Sequence, residues 1–122
     1  ILDSGSGSLG NLQLDWLSNV LESFHPSVRH ISIATHLNVF KDGLGLTSGL
    51  PMEEVNVLLD LCTQYEVDYV ISGHDHVRFE AALGLTEYII MDQCHDEESN
   101  SSYLEVKYDK NDCNHFFHPI PE

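Results

Sequence analysis

Apolar residues recur along this chain with two periods, and the switches between them mark its elements. Leu14, Leu17, Leu21 and Phe24 fall at helical spacing, with Trp16 and Val20 widening the stripe, and predict a helix over 12–23. His25-Pro26 ends it, because a residue before proline avoids the helical region. The run 28–35 reads as a strand, and 37–50 as a loop with Gly43, Gly45 and Gly49, long enough to form a functional rim. Pro51, Glu53 and Glu54 open a second helix, the proline suiting its first turn and the acids its positive end. Val55, Leu58, Leu59, Cys62 and Tyr65 give that helix an apolar face, and 67–72 makes a second buried strand. The order strand, helix, strand predicts a parallel pair with a right-handed crossover. Both strands then finish at one sheet edge, where α/β proteins place their sites.

The remainder changes character. Runs 86–91 and 103–108 read as antiparallel strands separated by the polar segment 92–102, and a short last strand runs through 115–118 before Pro119 and Pro121. The fold class is therefore α/β with a mixed sheet. No internal repeat is present, and low complexity is confined to the opening Gly/Ser residues.

At 122 residues and 42% apolar composition, the chain suits one folded domain with a modest core. It has 20 acidic against 5 basic side chains, a net charge of −15. Such a surface repels phosphate backbones and anionic lipid, so neither nucleic acid nor a membrane is an expected partner. No apolar run approaches the ~20 residues of a membrane span. Cys62, Cys94 and Cys113 are odd in number and widely spaced, which favours a reducing compartment, the cytoplasm, over a disulfide framework. The start, Ile1 through Ser8, has neither an initiator Met nor a signal-peptide pattern. It is expected to be a cut inside a longer protein, with any targeting segment lost. Asn100-Ser101-Ser102 fits the glycosylation triplet, a pattern common by chance.

The chemistry concentrates at two strand ends. Val70-Ile71-Ser72-Gly73-His74-Asp75-His76 is an apolar run stopping at a glycine and two histidines, and Ile31-Ser32-Ile33-Ala34-Thr35-His36 ends on a third. Neutral imidazoles suit Zn, Fe, Mn, Ni or Cu. Along a regular strand His74 and His76 would point to opposite faces. In a turn they diverge less and can serve two neighbouring ions. Cys113-Asn114-His115 with His118 has metal-like residue types on what reads as a surface strand, and Cys94-His95-Asp96 sets a thiol beside a base, a spacing that rarely brings the two together. His25 and His30 flank the first strand and read as exposed.

With these elements in place, the chain resembles the calcineurin-like metallophosphoesterases. The resemblance runs through Gln13-Leu14-Asp15-Trp16-Leu17, the strand to His36, the helix to Tyr65, Gly73-His74-Asp75-His76-Val77 and the closing β segments, and covers most of 1–118. It implies a four-layer α-β-β-α sandwich of which residues 1–122 form the C-terminal half. It implies two divalent or trivalent metal ions (Zn, Fe or Mn), with His36 and His74 on one and His76 on the other. It also implies a phosphate-ester substrate, which Arg78 would touch unless, as a surface arginine, it pairs with one of the many nearby acids. The mouth of the site would be the loop 41–50, with Phe40 as an apolar contact.

The family's Asp-x-His, Gly-Asp-x-x-Asp and Gly-Asn-His-Asp/Glu motifs are absent from this sequence, and with them the bridging carboxylate, the Asn ligand and the catalytic His. Asn38 stands where the family usually has Pro. The chain is thus expected to be catalytically silent alone, and to associate with itself or with the missing N-terminal half to cover an open apolar face. Two alternatives are a scaffold module that kept the fold without catalysis, and a mononuclear His-only metal domain unrelated to phosphate chemistry.

Overall fold

A computed structural model describes residues 1–39, 49–92 and 101–120. The loop residues Phe40 to Ser48 and the Cys94-His95-Asp96 cluster lie outside the described residues.

Helix α1 spans Asn11–Phe24 and buries Leu14, Leu17 and Leu21, a seam at helical spacing. Trp16 and Phe24 are instead half exposed. Trp16 lies roughly 130° around the helix from that seam at 100° per residue, and Phe24 is the last helical residue. The stripe is narrower than the sequence pattern suggests. A short 3-10 turn, His25–Ser27, continues the helix, and the Val28 N–H still donates to the Phe24 carbonyl at 3.1 Å. That bond keeps Val28 out of strand β1, which is Ser32–Ala34.

Helix α2, Met52–Gln64, starts after Pro51, whose carbonyl accepts the N–H groups of Glu54 and Val55. It buries Val55, Leu58, Leu61 and Cys62, while Leu59 and Tyr65 pack partly. Glu54 does more than favour its own helix dipole. Its carboxylate accepts Ser8 Oγ and the backbone N–H groups of Leu9 and Gly10, at 2.6, 2.7 and 2.9 Å, and so ties down the entry to α1. Burial pushes the Glu54 carboxyl up, but these three donors outweigh it and hold it below the ordinary value.

Strand β2, Tyr69–Ser72, pairs parallel to β1 with Ser32, Ile33 and Ala34 opposite Tyr69, Val70 and Ile71, as the strand–helix–strand order predicts. Two further strands complete this sheet: β3, Phe79–Leu83, and β4, Thr86–Ile90, in the order β1-β2-β4-β3. The sheet is mixed, since β4 runs parallel to β2 and antiparallel to β3. The sequence reading missed β3, Phe-Glu-Ala-Ala-Leu, which has no buried residue and no apolar alternation. The signal present was Gly84, which takes φ 64° in the two-residue turn joining Leu83 to Thr86.

Strands β5, Ser102–Tyr108, and β6, Cys113–Pro119, form a separate antiparallel hairpin. The 86–91 and 103–108 runs are therefore strands that belong to different sheets and do not pair with each other. Side-chain alternation sorts the faces of the mixed sheet. Ile33, Val70 and Tyr88 join the helix leucines in the main core. On the other face Tyr69 meets the His115 ring edge-on, with centroids 5.5 Å apart. The result is three layers: two helices, a mixed sheet and a hairpin. Among the described residues no helix is long and apolar enough to cross a membrane.

Candidate metal centre at the strand ends

Because β1 and β2 are parallel and in register, the residues just beyond them meet. The Thr35 N–H donates to the Ile71 carbonyl and the Gly73 N–H to the His36 carbonyl, both at 3.0 Å, extending the ladder past its last strand residues. Beyond that ladder His36 Nε2 lies 3.0 Å from His74 Nδ1, the rings inclined at 81°. As neutral rings one nitrogen donates to the other. If both lone pairs faced one cation at the usual Zn–N distance of about 2.0–2.1 Å, they would subtend roughly a right angle. Both rings are exposed, so solvent has access.

The turn that aims His74 is strained. His74 has φ 73°, and the Asp75 N–H returns to the Gly73 carbonyl at 2.9 Å, a γ-turn of the rare positive-φ kind. His76 also has positive φ, 55°. Neither residue is glycine, and such conformations cost of order 1–3 kcal/mol each and persist only where the surroundings impose them. His76 does not join the other two imidazoles: among the described residues, the three do not bring ligand atoms within 4.8 Å of one another. The structure thus brings His36 and His74 together and leaves His76 apart.

Asn38 emerges here as a positioning residue that the sequence reading treated only as a departure. It is buried, and its Nδ2 donates to Asp75 Oδ2 at 2.9 Å, clamping the middle of the turn. Its backbone bridges to Gly49, and the Leu50 N–H donates to its carbonyl. A side chain at Gly49 would put Cβ 3.0 Å from Asn38 Oδ1, so the close approach needs glycine. On the inner side, buried Ser4 Oγ accepts from Thr35 Oγ1 and from the Leu37 N–H, each at 2.9 Å, fixing the backbone on both sides of His36. No local sequence motif marks either contact.

Arg78 is engaged within the fold. Its Nε and Nη2 both reach Glu80 Oε1, and its guanidinium stacks 3.6 Å from the Phe117 ring centroid. The tail histidines separate: His115 bonds Glu80 at 2.9 Å and His118 bonds Glu105 at 2.8 Å. His30 is not an exposed flank residue. Its side chain is 17% exposed and sits between Asp68 and the Asp109 carbonyl, because the hairpin folds over the start of β1.

No protein-family model matches the chain, and no curated protein matches it. Among solved structures, a dimetal phosphatase from Danio rerio superimposes with a TM-score of 0.57 and 22% sequence identity, over 69% of this chain. The aligned region is 27% of that phosphatase. At this identity the likeness is one of fold. The chain has an α/β architecture, with a mixed sheet and two helices, like that of part of this phosphatase.

Proposed function

We propose that this chain is the C-terminal part of a calcineurin-like phosphoesterase domain, and that it contributes histidine ligands to a dinuclear centre acting on phosphate esters. The observation that supports this reading is the pairing of His36 and His74 at the shared edge of parallel strands, with His74 held in a strained γ-turn. Backbone strain of this kind persists at sites where aiming a side chain matters more than local stability.

His36 and His74 would hold one ion and His76 the other, with Zn, Fe or Mn all compatible with imidazole donors. When bound, such a pair activates water for in-line attack on phosphorus and neutralises charge on the phosphoryl oxygens. The residues of this chain orient the ligands. Ser4 and the β1–β2 ladder fix His36, while Asn38 and Asp75 fix the turn bearing His74 and His76. Arg78 is held beside the same turn by Glu80 and Phe117, and a phosphate contact would require it to leave Glu80.

The bridging carboxylate, the Asn ligand and the catalytic His would come from a complementary N-terminal half. Its place would be beside β1, an outer strand of the sheet bonded on its outer side by the Leu2 N–H at 2.8 Å. Exposed Leu12 and Trp16 on α1 add apolar surface for that half or for a second copy to cover.

The test is turnover of p-nitrophenyl phosphate and of its diester, with Mn²⁺ or Zn²⁺ added. It compares the 122-residue chain with a version extended to the whole domain. The extended protein should be active and lose at least about 100-fold on His74→Ala, while the short chain should be silent. An inactive extended protein with intact fold would favour the scaffold reading.

A further inference from the structure

The two parallel strands have a second edge, at their starts, and three potential metal ligands converge there. His30 lies just before β1, Asp68 just before β2, and Cys113 opens β6 of the hairpin. One ligand atom from each lies within 4.8 Å of the others. Both His30 Nδ1 and Cys113 Sγ point at the same oxygen, Asp68 Oδ1, at 3.2 and 3.3 Å. We propose that His30, Asp68 and Cys113 bind a thiophilic divalent ion of the zinc class, at a site separate from the strand-end histidines.

The donor set selects the ion. A thiol with an imidazole disfavours Mg²⁺ and Ca²⁺, which take oxygen, and suits Zn²⁺ or Co²⁺. Three protein ligands leave a fourth position for water. The outer partners are also in place. His30 Nε2 faces the Asp109 carbonyl at 2.6 Å, so the neutral ring donates there and turns its Nδ1 lone pair toward Asp68 and Cys113. Asp68 Oδ2 accepts the Ile31 N–H at 2.7 Å, leaving Oδ1 for the cluster. Ligating histidines and carboxylates are held by such second partners in metal sites generally.

The site already favours positive charge. The Asp109 carbonyl, then Asp68, hold the His30 imidazole above its ordinary value, so a proton occupies the gap between Nδ1 and Oδ1 readily. An ion would replace that proton and the thiol proton of Cys113, releasing both to solvent. Burial and Asp68 keep the Cys113 thiol protonated without an ion. Arg29 opposes a further cation here, but its effect on His30 is smaller than those of the Asp109 carbonyl and Asp68. Bound metal would fasten the hairpin to the starts of β1 and β2, at the sheet edge opposite His36 and His74.

Co²⁺ titration of the purified chain reads the thiolate directly, through the near-ultraviolet charge-transfer absorption of a cobalt–sulfur bond. One equivalent should produce that band. Cys113→Ser should abolish it, Asp68→Asn should weaken binding by more than the about 10–100-fold that losing an outer partner costs, and His74→Ala should leave it unchanged. A band absent from the wild-type chain, retained by Cys113→Ser or lost in His74→Ala would overturn the proposal. Should Cys113→Ser fail to fold by circular dichroism, cadmium NMR of the wild-type chain decides instead. A shift for one sulfur ligand supports the site, and a shift for nitrogen and oxygen alone overturns it.

Discussion

The strain at His74 has a measurable consequence for stability. With φ 73°, and with the Asp75 N–H bonded back to the Gly73 carbonyl, the backbone occupies a region that costs an L-residue about 1–2 kcal/mol and glycine almost nothing. Comparing His74→Gly with His74→Ala removes the imidazole in both variants and isolates that cost. Glycine loses more freedom on folding, by roughly 0.5–1 kcal/mol relative to alanine. The difference leaves His74→Gly more stable than His74→Ala by about 0.75 kcal/mol at the middle of these ranges, and by up to about 1.5 kcal/mol. Ordinarily an alanine replaces glycine with a gain, so the sign here is reversed. Urea unfolding of the two variants side by side measures it, through the shift in midpoint at constant slope. Equal stability, or an advantage for alanine, would refute the claim that the turn is held under strain.

Other consequences follow from single contacts. Asn38→Ala removes a buried, charge-assisted bond to Asp75 and should cost about 1.5–3 kcal/mol in urea unfolding while weakening metal binding at His74. Glu54→Gln should cost about 1–2 kcal/mol. It should also flatten the acid limb of stability, because a carboxyl held below its ordinary value stabilises fully above pH 4.5 and loses that contribution as pH falls through its folded value. Leu58 is fully buried, so Leu58→Ala should cost about 2–5 kcal/mol through the cavity it leaves, as read by thermal or urea denaturation. Cys62, also fully buried and with its thiol pushed up to about 11 by burial, should resist alkylation at pH 8 until the chain unfolds.

What the sequence made legible was the part governed by periodicity. The leucine seam of α1, the start of α2 at Pro51 and the parallel β1–β2 pair all follow from spacing and capping, and they suffice to bring His36 to His74. The losses came where long-range contacts decide. Strand β3 has no buried residue and no apolar alternation, and pairs only because β4 lies beside it. Asn38 looked like a departure because its role depends on Asp75, 37 residues away. His30 and Cys113 looked like an exposed flank and a surface strand because the hairpin that joins them to Asp68 folds from the far end of the chain. Contacts of this kind leave no local pattern in a single sequence.

The central claim is that His36 and His74 face one metal ion. Nitrogen-detected NMR of the imidazole side chains during Zn²⁺ titration tests it most directly, because it resolves each ring nitrogen. Nε2 of His36 and Nδ1 of His74 should shift together at the same stoichiometry, and each ring should settle into the tautomer with its proton on the other nitrogen. Zinc that shifts His30 while both of these rings keep their free resonances would contradict the account.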